Sequence, residues 1–268
     1  MRFKALALDL DDTLLGPDRH AGPTAVRVVN RAASLGIEVV LATGRDHSSA
    51  KKLARELKTN GPVIANSGAV ILDRQLNILR ALTLHHDVLR KVLLRAGEQA
   101  LLYVYSSEGV FTNRRHCKTD RYSKILRVPI TVHKDLMAHI DGLEQCQLYG
   151  MSLRVKPGKA ETLRSKWQQE LDSQAEVIQT IPGLIEILPA GASKGNALRV
   201  LGNHLNIPPC CWAAVGDSMG DVCMLNAAGL GVLVANAPEK LHQQADWVTE
   251  LPYTDGVLEL LESLEIHQ

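Results

Sequence analysis

Two pairs of carboxylates carry the first chemical signal in this chain. Asp9-Leu10-Asp11-Asp12-Thr13 sets two acids one residue apart at the end of the apolar run Phe3 to Leu10, and Asp217-Ser218-Met219-Gly220-Asp221 sets two more after Trp212 to Val215. Acids gathered at strand ends repel one another and lose hydration, so they are kept together where a cation or a reacting substrate uses them. Each pair also has a plain structural reading: an exposed acidic turn for the first, an N-cap by Asp217 or Ser218 for the second. Leu41-Ala42-Thr43-Gly44-Arg45 offers a hydroxyl and loop amides that suit a phosphate oxygen, or the capped start of a helix. Ala192-Ser193-Lys194-Gly195 opens a helix with a lysine that either neutralises an anion beside the first amides or faces solvent.

The elements that must position these residues alternate. Phe3 to Leu10, Ile37 to Ala42 and Pro62 to Ala65 read as strands, separated by helical patterns at Thr24 to Leu35 and Ser48 to Leu57, with Gly36 as a stop. The alternation returns with a helix from Lys194 to Leu205, a strand at Trp212 to Val215, a helix at Asp221 to Ala228, strands at Gly231 to Val234 and Trp247-Val248, and a helix from Asp255 to Leu264. Such an order predicts a doubly wound α/β core with parallel strands, and four polar strand endings that converge on one site. Between them, strands at Leu101 to Tyr105, Val110 to Thr112, Ser152 to Val155 and Leu184 to Leu188, with helices at Val88 to Ala96 and Ala160 to Leu171, predict an inserted α+β domain. The expected division is a discontinuous core, 1–81 and 189–268, and an inserted domain, 82–188.

Composition narrows the function. Thirty Lys+Arg against 29 Asp+Glu leave a net charge of +1, and aromatics are only 4% of the chain, so neither a strong basic field nor stacking surface for nucleic acid is present. The most apolar stretch, Val222 to Ala237, is interrupted by Asn226 and Gly229-Leu230-Gly231 and is too short to span a membrane. The apolar run before Asp9 is too brief for a secretory signal. Five cysteines without C-x-x-C spacing suggest neither a disulfide framework nor zinc, and predict reduced, mostly buried thiols. A cytoplasmic protein is expected, as a monomer or small homo-oligomer.

Taken in order, the four segments resemble the four motifs of the haloacid dehalogenase superfamily, and the place of the insertion resembles its Cof-like subfamily with a type IIB cap. The resemblance runs from Phe3 to about Asp73 and from Glu186 to Val257, including Asn236-Ala237, and fades in the inserted domain. It implies a Rossmann-like core and a Mg²⁺-dependent phosphatase acting on a small phosphorylated metabolite, a sugar phosphate by expectation. Asp9 would be the nucleophile that forms an aspartyl-phosphate, and Asp11 the general acid and base. Thr43, Gly44, Lys194 and Asn236 would hold phosphate. Magnesium would lie among Asp9, the Asp11 carbonyl, Asp217 and Asp221, an oxygen donor set without His or Cys.

Three positions depart from the family pattern. Asp12 stands where the subfamily usually has glycine, Gly220 replaces an asparagine, and Asn66-Ser67-Gly68-Ala69 carries its asparagine one place early. The substrate-selecting residues are less legible. The basic loop Asn113-Arg114-Arg115-His116-Cys117-Lys118 could meet a second anionic group, or be solvated, and Arg45 could reach toward the cap. His85, His86 and His267 read as surface residues. The same aspartates would serve a phosphomutase or phosphotransferase, and the altered positions also allow a non-catalytic phospho-ligand-binding protein.

Overall fold

A computed structural model describes residues 3–96, 100–143 and 146–266, and their contacts divide the chain into two compact units. One runs to Arg80 and resumes at Ser193; the other is Ala81–Ala192.

The first unit begins with β1 (Ala5–Asp9), α1 (Pro23–Ser34), β2 (Glu38–Ala42), α2 (His47–Glu56), β3 (Val63–Ala65), β4 (Val70–Leu72) and β5 (Ile78–Ala81). Every residue of β1 is buried, as a strand covered on both faces must be. Helix α1 opens with Pro23, whose missing N–H costs nothing there, and turns Ala25, Val28, Val29 and Ala32 inward at helical spacing.

The second unit follows with α3 (His86–Ala96), β6 (Leu101–Ser106), β7 (Gly109–Thr112), α4 (Cys117–Leu126), β8 (Ile130–Val132), α5 (Leu136–Asp141), β9 (Leu148–Arg154), α6 (Pro157–Leu171), β10 (Ala175–Ile181) and β11 (Leu184–Pro189). Its sheet has the order β10-β11-β9-β6-β7-β8, antiparallel except where β7 meets β8. One face packs with helical residues such as Val88, Val92, Leu136, Ile140 and Trp167 over Leu102, Val104, Met151 and Ile187.

The first unit then resumes with α7 (Lys194–Leu205), β12 (Trp212–Gly216), α8 (Val222–Leu225), β13 (Leu230–Leu233), β14 (Trp247–Val248) and α9 (Tyr253–Ile266). Its sheet has the order β14-β13-β12-β1-β2-β3-β4-β5, parallel from β14 to β3 and antiparallel at β3–β4. Chain order runs outward in both directions from β1 and β12, so their carboxyl ends form the switch point where α/β sheets bind ligands.

Several expectations need correction. The helix predicted to Ala228 stops at Leu225, because Ala227 N and Ala228 N turn to the carbonyls three residues back, of Met224 and Leu225. Cys117 and Lys118 are not loop residues: they open α4, whose cap is the His116 ring accepting from Lys118 N at 3.1 Å. The thiols are free but mostly not buried; Cys146 is, whereas Cys117 and Cys210 are exposed. His86 is half-buried and bonds the Cys146 carbonyl, while His267 lies outside the described residues. Among the described residues no helix is long and apolar enough to cross a membrane.

Candidate active site

Asp9 is the last residue of β1, Asp217 follows β12, Asp221 precedes α8 and Lys194 opens α7. The fold thereby brings four residues distant in sequence to one edge of the parallel sheet. Lys194 Nζ donates to Asp9 Oδ1 and Asp221 Oδ1, both at 2.5 Å. The lysine is 6% exposed, which overturns a solvent-facing reading, and Ser193, not Lys194, caps the helix by accepting from Asn196 N. One carboxylate oxygen from each of Asp9, Asp217 and Asp221 lies within 4.8 Å of the others.

Asp221 has no exposure, and its second oxygen accepts from Ser218 Oγ at 2.7 Å, Ser218 N at 3.0 Å and Asp217 N at 3.3 Å. Asp217 and Ser218 therefore cap no helix; their amides hold Asp221 in place. Buried Thr13, which sequence reasoning passed over, donates to Asp217 Oδ1 at 2.9 Å.

The electrostatics are unbalanced. Two unit charges about 4 Å apart repel by about 4 kcal/mol at an effective dielectric near 20. Three carboxylates share the single charge of Lys194. Burial, and then the Asp221 charge, push Asp9 well above the ordinary carboxylate range despite the pull of Lys194. Burial and Asp221 likewise push Asp217 up to about 7. For Lys194, burial opposes the charge, but Asp221 and Asp9 together outweigh it and hold the ammonium above its usual value. A divalent cation fits this deficit, and the hard oxygen donors of Asp9, Asp217 and Asp221 suit magnesium.

Thr43 and Gly44 follow β2. Thr43 is buried and its hydroxyl accepts from Arg45 N at 3.1 Å; the cap of α2 is Asp46, which accepts from Ser48 N and Ser49 N. The Thr43 hydroxyl is thus spared capping duty. Arg45 does not reach outward as expected. It is 4% exposed and grips the Asp11 carboxylate, with Arg19 3.8 Å from the same group. Asn236 is close by, but its carboxamide is engaged at both ends, donating to the Asp12 carbonyl and accepting from Tyr253 N, each at 2.8 Å. Arg114 and Arg115 belong to the other unit, on the segment between β7 and α4, half-buried and exposed respectively.

A doubly wound core with an acid-and-lysine cluster at the carboxyl edge, interrupted by an α+β unit, defines a protein of the α/β class with an aspartate-based site suited to a cation and an anionic ligand. Residues 6–261 match the pattern of the haloacid dehalogenase-like hydrolases, and the chain belongs to that family. An HMP-PP phosphatase of Yersinia pseudotuberculosis is 26% identical over 243 residues, 90% of this chain and 87% of that protein. The chloroplastic endoribonuclease YBEY of Arabidopsis thaliana is 26% identical over 272 residues, 97% of this chain but 46% of the relative, so the chain spans about half of that protein's length. A solved haloacid dehalogenase-like hydrolase from B. subtilis superposes with a TM-score of 0.85 at 27% identity, covering 97% of this chain and 99% of that one. The chain is an enzyme of the hydrolase class.

Proposed function

We propose that the chain is a Mg²⁺-dependent phosphatase that hydrolyses a small phosphorylated metabolite, a sugar phosphate, through an aspartyl-phosphate on Asp9. The observation that carries this reading is the 2.5 Å bond from buried Lys194 to Asp9 at the centre of the acidic cluster. Asp9 attacks phosphorus as the bond to the leaving oxygen breaks, and Asp11 gives that oxygen a proton. Asp11 then takes a proton from water, whose oxygen attacks phosphorus and releases Asp9 and inorganic phosphate. Lys194 and the Thr43 hydroxyl, with the amides around Gly44, hold the phosphate oxygens.

Asp9, Asp217 and Asp221, with the Asp11 carbonyl, would hold magnesium. When bound, the ion supplies the positive charge that lets a phosphate dianion approach Asp9. In this reading the core, 1–81 and 189–268, performs the chemistry, and the inserted domain, 82–188, with Arg114 and Arg115, selects the metabolite. The free cysteines fit a reducing, cytoplasmic setting.

The test is phosphate release from a panel of hexose phosphates, phosphoglycolate, pyridoxal phosphate and flavin mononucleotide in the presence of Mg²⁺. Release is expected from the wild type and not from Asp9→Asn. An active Asp9→Asn protein refutes the mechanism, and an isomerised ester in place of free phosphate assigns a mutase.

A further inference from the structure

Several backbone segments of the core meet with no side chain between them, and glycines make the approach possible. A Cβ on Gly68 would lie 2.2 Å from the Ser193 carbonyl oxygen and 2.9 Å from the Lys194 amide nitrogen. A Cβ on Gly195 would lie 2.1 Å from the carbonyl oxygen of Cys223, in the helix that Asp221 precedes. The Ser193–Gly195 backbone is thus pressed against the Asn66–Gly68 turn by one glycine and against α8 by another.

The turn itself is unusual. Asn66, Ser67 and Gly68 all have positive φ, at 50°, 53° and 98°, and two consecutive left-handed non-glycine residues are strained conformations that persist only when their surroundings impose them. The surroundings here are the site's own loops. Asn66 N donates to the Arg45 carbonyl at 2.8 Å, Ser67 N to the Thr43 carbonyl at 3.1 Å, and Asn66 Oδ1 accepts from His47 N at 2.9 Å. The turn therefore fastens the Thr43–Arg45 loop while Gly68 bears on the start of α7.

We infer that Gly68 and Gly195 are positioning residues for Lys194: they let the Ser193–Gly195 backbone sit flush against two neighbours, which sets Nζ 2.5 Å from both Asp9 and Asp221. The inference rests on the phosphatase reading, in which Lys194 compensates Asp9 and the phosphate. A flexible lysine in solvent would absorb a shift of its backbone. A buried one that must meet carboxylates on two different elements has no such latitude. Relieving a 2.2 Å contact moves the backbone by about 1 Å, and misplacement on that scale can lower turnover by about 100-fold.

The experiment compares Gly68→Ala, Gly195→Ala and Gly22→Ala for kcat/KM on para-nitrophenyl phosphate and for inhibition by inorganic phosphate. A Cβ at Gly22 meets nothing within 4 Å, so Gly22→Ala should match the wild type. Gly68→Ala should lower kcat/KM by about 10- to 100-fold and weaken phosphate inhibition about tenfold. In a Lys194→Ala background the same change should cost less than about twofold, because a residue acting through Lys194 has nothing left to act on. If Gly68→Ala does not fold, Gly195→Ala decides, since alanine favours the helix and only the contact with Cys223 opposes it. Wild-type kinetics in both variants, or an undiminished loss in the Lys194→Ala background, overturns the inference. A wild type that releases no phosphate from any ester overturns the functional reading instead, and the glycine variants are then compared by calorimetric affinity for inorganic phosphate.

Discussion

Arg45 holds Asp11 through two parallel bonds, Nε to Oδ2 at 2.7 Å and Nη2 to Oδ1 at 2.5 Å. The guanidinium is 3% exposed and the carboxylate 25%, so the pair sits at the boundary between the interior and solvent. A planar fork fixes a carboxylate in orientation as well as position. It also engages both oxygens, each of which keeps a further lone pair free.

This pairing predicts an asymmetry between two substitutions. Arg45→Lys keeps the charge but not the fork, and should lower kcat on para-nitrophenyl phosphate by about tenfold with KM changed less than about threefold. Arg45→Ala should lower kcat further, toward the ~100-fold at which proton transfer by a positioned group begins to count. Equal kcat for wild type and Arg45→Lys would show that orientation of Asp11 does not depend on the fork.

Asp217 predicts a pH dependence of the metal-free protein. Its folded-state value of about 7 lies above the ~3.9 of an unfolded aspartate. Between those pH values the folded chain binds a proton that the unfolded chain does not, so this group's contribution to stability is lost as pH rises through the window. Asp217→Asn removes the effect. Denaturation midpoints in EDTA should favour Asp217→Asn over wild type increasingly from pH 5 to pH 8; a difference that stays constant with pH refutes the linkage.

Much of this site was legible because apolar runs end in acids at strand termini, a pattern local enough to read residue by residue. What was not legible lies in tertiary relations. Arg45 and Asp11 are 34 positions apart, and nothing in Thr43-Gly44-Arg45 says that the arginine turns inward to meet Asp11 rather than outward. Thr13 was hidden for the same reason, since its partner Asp217 belongs to another strand end. Of the strands missed, which include Val70–Leu72, Ile78–Ala81 and Ile130–Val132, Ala175–Ile181 is different: Pro182-Gly183, with Gly183 at φ 80°, joins it to Leu184–Pro189 and was an available turn signal.

Metal removal should act on stability as well as turnover. Magnesium held by Asp9, Asp217 and Asp221 in the folded state alone would stabilise it by about 2.7 kcal/mol at a hundredfold excess over Kd. The melting temperature should therefore rise with Mg²⁺ concentration after EDTA treatment, and the rise should be smaller in Asp217→Asn. No Mg²⁺-dependent shift in the wild type would separate the acidic cluster from the ion.

Asp12 offers the last test, and it explains one departure from the family pattern. Its φ is 63°, a left-handed conformation open to glycine and tolerated by aspartate. Its carboxylate partly offsets the cost through a half-buried ion pair with Arg19 at 3.2 Å, still screened by solvent and worth less than about 1 kcal/mol. Asp12→Gly loses the pair but relieves the backbone, so stability should change by less than about 1 kcal/mol. Asp12→Ala loses the pair and keeps the strain, and should destabilise by about 1–2 kcal/mol. The Asp12 carbonyl that Asn236 binds is backbone and survives both changes, so turnover should stay within about threefold of wild type in each. An Asp12→Ala protein as stable as Asp12→Gly would mean that the left-handed turn carries no strain.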